Sequence, residues 1–167
     1  MNKHIFILNG SGGSGKDTFA DFLKHYVPTL HYSSVAKVKD VAAMCGWDGG
    51  KTERDRKFLS DLKVLTSEYS DMPFQDISAF VNKFREMWLY QVLLIDIREP
   101  AEIERAKQEF GAETILIKTD RVPPILSNMA DAGVFDYDYD IVIENNGTLD
   151  EFRETVKKFA EDYIMRS

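Results

Sequence analysis

The residues with the clearest chemical signature stand together near the start of the chain: Gly10-Ser11-Gly12-Gly13-Ser14-Gly15-Lys16-Asp17-Thr18. Gly10 and the Gly15-Lys16 pair are spaced so that backbone N–H groups and the first turn of a following helix surround phosphate oxygens. The lysine ammonium then reaches the β- and γ-phosphates. Asp17 stands where this pattern usually carries a Ser or Thr whose hydroxyl binds Mg²⁺, and Thr18 follows at once. Thr18 could hold a phosphate oxygen through its hydroxyl or N–H, while Asp17 could reach the metal directly or through water. The spacing alone does not divide these roles. Glycines 10, 12 and 15 also satisfy Gly-x-Gly-x-x-Gly, the pattern of a dinucleotide loop. That loop wants an acidic residue at the end of the second strand, about 20 residues on, and His31-Tyr32-Ser33-Ser34-Val35-Ala36 offers none. The lysine would also have no task there, so the phosphate loop is the reading that uses every residue.

A second carboxylate with a chemical reading is Asp96, which ends the nearly unbroken apolar run Tyr90-Gln91-Val92-Leu93-Leu94-Ile95-Asp96. Such a run suits a central strand covered on both faces, and its terminal acid would emerge at the ligand edge of an α/β sheet. Asp96 is therefore a candidate to hold Mg²⁺ through water, or else to cap the next helix. Arg98 stands beside it, able to meet a phosphate or to pair with Glu99 or Glu102. Arg54, Arg56 and Lys57 gather at a helix start, where cations oppose the helix dipole and so ask for another reason, such as an anionic ligand. His4, His25 and His31 have no metal-ligand spacing with Cys45 or with one another, and read as structural or exposed. Phe80, Phe84 and Trp88 fall on a helical stripe and read as core rather than as a base-stacking platform. The run Asp136-Tyr137-Asp138-Tyr139-Asp140 lacks a calcium-loop pattern and reads as a solvated loop.

These residues need a frame. Phosphate loops sit between a strand and a helix, and His4-Ile5-Phe6-Ile7-Leu8-Asn9 supplies the strand while Phe19, Phe22, Leu23 and Tyr26 supply the apolar stripe of the helix. Further strands are expected at 29–32, 90–96, 114–118 and 140–144. Ser33-Ser34 could cap the helix carrying Val35, Val38, Val41, Ala42 and Cys45, with Cys45 a buried small hydrophobe and Gly46 the stop. Phe58, Leu62, Leu65 and Tyr69 mark a second helix, ended by Asp71-Met72-Pro73. Ile77, Phe80, Val81, Phe84, Met87 and Trp88 mark a third. Pro100 opens the next helix and Gly111 closes it. Thr148 and Glu151 form a capping box for the last, which carries Phe152, Val156, Phe159 and Tyr163. Strands alternating with helices imply a mostly parallel sheet with helices on both faces and ligands beyond the carboxyl ends of the strands.

At 167 residues and 44% hydrophobic the chain is long enough for one well-buried domain and short for two. A formal net charge of −7 argues against nucleic-acid and membrane surfaces, both of which need clustered Lys and Arg. The single cysteine, the lack of a signal-type segment and the lack of an apolar run near 18 residues point to a reducing cytoplasm.

With those positions in hand, the chain resembles the nucleoside-monophosphate-kinase-like branch of P-loop kinases. Gly-Ser-Gly-Lys-Asp-Thr at 13–18, Leu-Ile-Asp-Ile-Arg at 94–98 and Tyr-Asp-Ile-Val-Ile-Glu-Asn-Asn-Gly-Thr-Leu at 139–149 carry the likeness. The first piece looks most like phage-type deoxynucleoside monophosphate kinases, and its Gly-Lys-Asp is also similar to animal-type phosphomevalonate kinases. The third is similar to the adenine-side loop of many small-molecule kinases, dephospho-CoA kinase among them. The resemblance implies a three-layer α/β/α P-loop fold with a five-stranded parallel sheet, in one domain over 1–167. It also implies a helical acceptor-binding region at about 34–89 and a lid at about 120–138. ATP and Mg²⁺ would be the cofactors, with the loop from Gly10 through Gly12, Gly13, Ser14 and Gly15 to Thr18 around the phosphates. Lys16, Arg98 and Arg121 would serve catalysis, Arg121 as the lid arginine, and Asp17 and Asp96 the metal. Ser33, Lys37, Arg54 and Arg56 would take the acceptor phosphate, and Asn146 and Gly147 would pack by the adenine. The expected partners are small molecules, and the expected assembly a monomer or homodimer. The expected activity is γ-phosphoryl transfer to a phosphorylated acceptor, a nucleoside or deoxynucleoside monophosphate first. The presumed lid holds one arginine, Arg121, against Asp120, Asp131, Asp136 and Asp138. That keeps a slow or non-catalytic nucleotide binder in view, whereas the lack of an Asn-Lys-x-Asp motif argues against a GTP switch.

Overall fold

The computed structural model describes residues 2–122 and 133–166. Five strands, β1 (His4–Asn9), β2 (Thr29–Ser33), β3 (Val92–Asp96), β4 (Glu113–Lys118) and β5 (Ile141–Glu144), form one sheet in the order β2-β3-β1-β4-β5. β1 pairs in parallel with both β3 and β4, and β4 with β5, so the phosphate loop leaves the middle strand. The register sets Leu8 of β1 against Asp96 of β3, which brings the end of the third strand level with the start of the loop.

The chain divides into two compact units, one of residues 1–31 and 87–167, the other of residues 32–86. In the first, helices α1 (Lys16–Lys24) and α6 (Leu149–Ala160) cover one face of the sheet, and α5 (Pro100–Phe110) packs against β1 and β4. The core under α1 and α6 alternates along each strand, taking Phe6 and Leu8, Val92 and Leu94, Ile115 and Ile117, Ile141 and Ile143. The intervening Ile7, Leu93, Ile95 and Leu116 are also buried, as is the α5 stripe of Ile103, Ala106 and Phe110. A sheet clad on both faces needs strands apolar at every covered position, and β3 is apolar and buried from Val92 through Ile95. Phe159 clasps the α1–α6 interface, meeting Phe6 and Phe19 edge-on at 5.4 and 5.3 Å.

Local chemistry sets the helix ends as expected in several places. The Thr148–Glu151 capping box of α6 is formed from both sides, Pro100 occupies the first turn of α5, and Gly111 ends it at φ 66°. A π-helical turn, Glu161–Met165, extends α6.

The second unit holds α2 (Ala36–Met44), α3 (Glu53–Ser70) and α4 (Met72–Glu86). Tyr32 stacks on Phe80 at 3.9 Å and donates its hydroxyl to Asp76 Oδ2 at 2.5 Å. Several expectations change here. Ser33-Ser34 does not cap α2: its N-cap is Val35, and Ser33 Oγ only accepts a 3.4 Å bond from the Val35 N–H. Cys45 is exposed, because it falls at the C-cap where the helix has turned its last residues to the surface. The apolar residues of α3 do not make a buried stripe. No residue of that helix is buried, and Leu65 and Tyr69 are 63% and 90% exposed. The third stripe stops at Glu86, so Phe84 is core while Trp88, past the helix end, is 83% exposed.

The 136–140 run is not simply solvated. Asp140 accepts from Thr114 N–H and hydroxyl at 2.9 and 2.8 Å and pairs with Lys107 at 2.6 Å, while the Tyr137 hydroxyl donates to Glu104 at 2.8 Å. Of the presumed lid, Pro123, Pro124 and Asp131 lie outside the described residues. Among the described residues no helix is long and apolar enough to cross a membrane.

Candidate active site

The site grows from the turn between β1 and α1. Asn9, fully buried, accepts from the Gly10 N–H at 2.8 Å through its own side chain and starts the turn. Gly10 lies against the neighbouring strand: a Cβ there would stand 2.5 Å from the Ile117 carbonyl and 2.5 Å from Ser14 Oγ. Ser14 N–H donates to Ser11 carbonyl at 3.1 Å, and Gly15, at φ 100°, is the N-cap of α1. Gly13, at φ 78°, is exposed at the loop crown beside Gly12. The first intrahelical bond is Phe19 N–H to Gly15 carbonyl at 2.8 Å. The N–H groups of Asp17 and Thr18 precede it and therefore point forward, as at any helix N-terminus that receives an anion. Lys16 Nζ donates to the Gly10 carbonyl at 2.7 Å and the Ser11 carbonyl at 3.3 Å, which places its charge across the loop.

Asp96, the last residue of β3, meets His31 from the neighbouring edge strand, His31 Nε2 lying 2.9 Å from Asp96 Oδ2. Asp96 Oδ1 is buried and has no hydrogen-bond partner among the described residues. Asp17 completes a group in which one ligand atom of each of Asp17, His31 and Asp96 lies within 4.8 Å of the others. The hydrogen bond to Asp96 raises the His31 pKa above its usual value against burial, which lowers it; the Asp96 and Asp17 charges add to the rise. His31, read from the sequence as structural or exposed, is half-buried beside these two carboxylates. Sequence spacing could not reveal it, because the three residues come from a helix start and two strand ends.

On the other side of the loop, Asn145 follows β5. Its buried side-chain amide donates to the Ser14 carbonyl at 2.9 Å, and its N–H to the Lys118 carbonyl at 2.7 Å. Asn145 carries no signal in the sequence beyond a turn asparagine. Asn146 brackets Asp120, accepting from its N–H at 2.8 Å and donating to its carboxylate at 3.0 Å. Arg121 donates to the Gly147 carbonyl at 3.1 Å and through Nε to Thr119 Oγ1 at 3.4 Å. Arg98 is exposed two residues past Asp96, and its carbonyl accepts a 3.3 Å bond from Asn9 Nδ2. That same amide donates to the Tyr139 hydroxyl at 2.8 Å, and Tyr139 donates on to the Val134 carbonyl at 2.8 Å. Burial pushes the Tyr139 phenol up to about 12, so it keeps its proton as the relay requires.

Ser33, Lys37, Arg54 and Arg56 belong to the second unit. Lys37 is exposed in the first turn of α2. Arg54 and Arg56 are exposed in the first turn of α3. The dipole conflict they posed is met by the Thr52–Asp55 capping box and by Glu53 and Asp55 in the same turn.

Among known protein families none matches the sequence, and no curated protein matches it. Solved structures do. Thymidylate kinase from Ehrlichia chaffeensis aligns over 96% of this chain and 99% of its own at TM-score 0.50 and 11% identity. Shikimate kinase from Acinetobacter baumannii aligns over 100% and 96% at TM-score 0.50 and 14% identity. With its parallel five-stranded sheet, central glycine loop and helices on both faces, this chain has the fold of the P-loop kinases.

Proposed function

We propose that the chain is an ATP-dependent kinase that passes the γ-phosphoryl group to a small phosphorylated acceptor, a nucleoside or deoxynucleoside monophosphate first. The observation that carries this reading is the meeting, at the carboxyl edge of the sheet, of a glycine loop spanned by Lys16 with the Asp17 and Asp96 carboxylates. Transfer of a phosphoryl group needs little covalent chemistry from the protein; positioning and charge compensation do the rest. The loop N–H groups from Gly12 to Thr18 hold the donor phosphates, and Lys16 neutralises charge on the bridge between the β- and γ-phosphates. The partnerless Asp96 Oδ1, with Asp17 nearby, suits a hard cation or its water. Mg²⁺ bound there with ATP would compensate the phosphate charge. Arg98 and Arg121 bear on the transferred group, and Asn146 and Gly147 flank the base.

In this reading 1–167 is one kinase domain. Its acceptor region, about 34–89, uses Ser33, Lys37, Arg54 and Arg56, and its lid is about 120–138. The setting is the cytoplasm, and the partners are small molecules. The experiment is ADP release from ATP·Mg²⁺ with each of a panel of ribo- and deoxynucleoside monophosphates, phosphomevalonate and dephospho-CoA. Stimulation by a nucleoside monophosphate supports the reading, and stimulation only by another acceptor moves the substrate class.

A second reading, a nucleotide-binding regulator with little turnover, is favoured by Arg121, whose guanidinium is engaged with Gly147 and Thr119. Tight ATP binding without stimulation by any acceptor would select it.

A further inference from the structure

We infer that Asp17, His31 and Asp96 form a binding site for a first-row transition-metal dication, with the His31 imidazole as the nitrogen ligand that sets its preference over Mg²⁺. The inference rests on the proposed function only in that Asp17 and Asp96 are the acids assigned there to the cation that accompanies ATP. The cluster itself is read from geometry. His31 Nε2 and Asp96 Oδ2 stand 2.9 Å apart, and two adjacent ligands with bonds of about 2.1 Å to one cation stand about 3 Å apart. The Asp17 ligand atom lies within 4.8 Å of both, and Asp17 is exposed, which leaves its side chain free to turn toward the pair.

A second observation at the same residue also points to a ligand. Among the described residues nothing partners the buried Asp96 Oδ1, and a buried carboxylate oxygen left unsatisfied is costly unless something cationic or protic meets it. His31 and Asp96 already face each other, so a cation would be met by one nitrogen and up to three carboxylate oxygens. Oxygen-only sites suit Mg²⁺, whereas an imidazole shifts the balance toward Co²⁺, Zn²⁺ and their neighbours. In this chain the imidazole comes from an edge strand and needs no loop to carry it.

The test uses the full, untagged chain without nucleotide, titrated with Co²⁺ and, separately, Mg²⁺. Calorimetry gives affinity and stoichiometry, and the visible absorption of Co²⁺ reports its ligands. The expected result is one Co²⁺ per chain, bound at least about tenfold more tightly than Mg²⁺. His31→Gln keeps an amide that can donate to Asp96. It should weaken Co²⁺ by about tenfold or more, change the visible spectrum, and move Mg²⁺ affinity less than about twofold. Asp96→Asn should weaken both ions, with circular dichroism confirming that each variant is folded. Equal Co²⁺ affinity in the native chain and His31→Gln, or no Co²⁺ binding at all, overturns the inference. ATP binding measured in parallel keeps the two ideas apart: a chain that binds Co²⁺ through His31 but no ATP loses the kinase reading and keeps this site.

Discussion

Asn145 donates its side-chain amide to the carbonyl of Ser14, 131 positions earlier, and so ties the end of β5 to the turn of the phosphate loop. Both residues are buried, Asn145 at 6% exposure and Ser14 at 0%. Removing the donor leaves a buried carbonyl without its partner, at a cost of about 1–3 kcal/mol. Asn145→Ala should therefore lower unfolding free energy by that amount in urea titration and weaken ATP binding through a loosened loop. Unchanged stability and affinity would mean that the bond is incidental.

Gly10 and Gly13 make a controlled pair. A methyl at Gly10 meets the Ile117 carbonyl and Ser14 Oγ at 2.5 Å each, in a buried place. At Gly13 it meets, among the described residues, only Val122 methyl groups at 3.6 and 3.7 Å, so the main penalty is the left-handed φ of 78°, about 1–2 kcal/mol. Gly10→Ala should be the more destabilising of the two in thermal melts. The reverse order would contradict the packing of the loop against β4.

The Asp140 carboxylate should contribute to acid sensitivity. Burial pushes its pKa up, but Lys107 and the Thr114 N–H and hydroxyl outweigh that and hold it below the usual carboxylate value. A carboxyl more acidic in the folded than in the unfolded chain stabilises the fold above its unfolded pKa, about 3.9, and loses that contribution as pH falls through its folded value. Melting temperatures of the native chain and Asp140→Asn should thus differ at neutral pH and converge below about pH 4. The effect is modest, because the pair is one-third exposed. Curves parallel from pH 7 to 3 would deny the role.

Much of the first unit was legible in the sequence because its signals are local. The β1 run, the glycine loop, Pro100 and Gly111, and the Thr148–Glu151 box each depend on residues within a few positions of one another. What escaped was long-range or depended on which neighbour covers a stripe. His31 and Asp96 are 65 positions apart and meet only because β2 and β3 are neighbours at the sheet edge. Asn145 resembles any turn asparagine until the fold sets it beside Ser14. Periodicity placed α3 correctly as a helix, yet periodicity states which residues share a face and not whether anything covers it. Leu65 and Tyr69 are exposed for that reason, Trp88 because the helix ends before it, and Cys45 because a helix end turns away from its own stripe. The Thr52–Asp55 box is as local as the Thr148–Glu151 one, but in the sequence it lies among Arg54, Arg56 and Lys57, whose charges oppose a helix start.

The central claim is that residues 10–18 bind the phosphates of ATP, and calorimetric titration of the native chain and Lys16→Ala with ATP·Mg²⁺ tests it most directly. Lys16 lies over the loop with its ammonium on the Gly10 and Ser11 carbonyls. The account predicts binding by the native chain and a loss of about tenfold to a hundredfold or more in the variant, since a charge-assisted contact to phosphate contributes about 1.5–3 kcal/mol. Equal affinity of the two chains for ATP would contradict it.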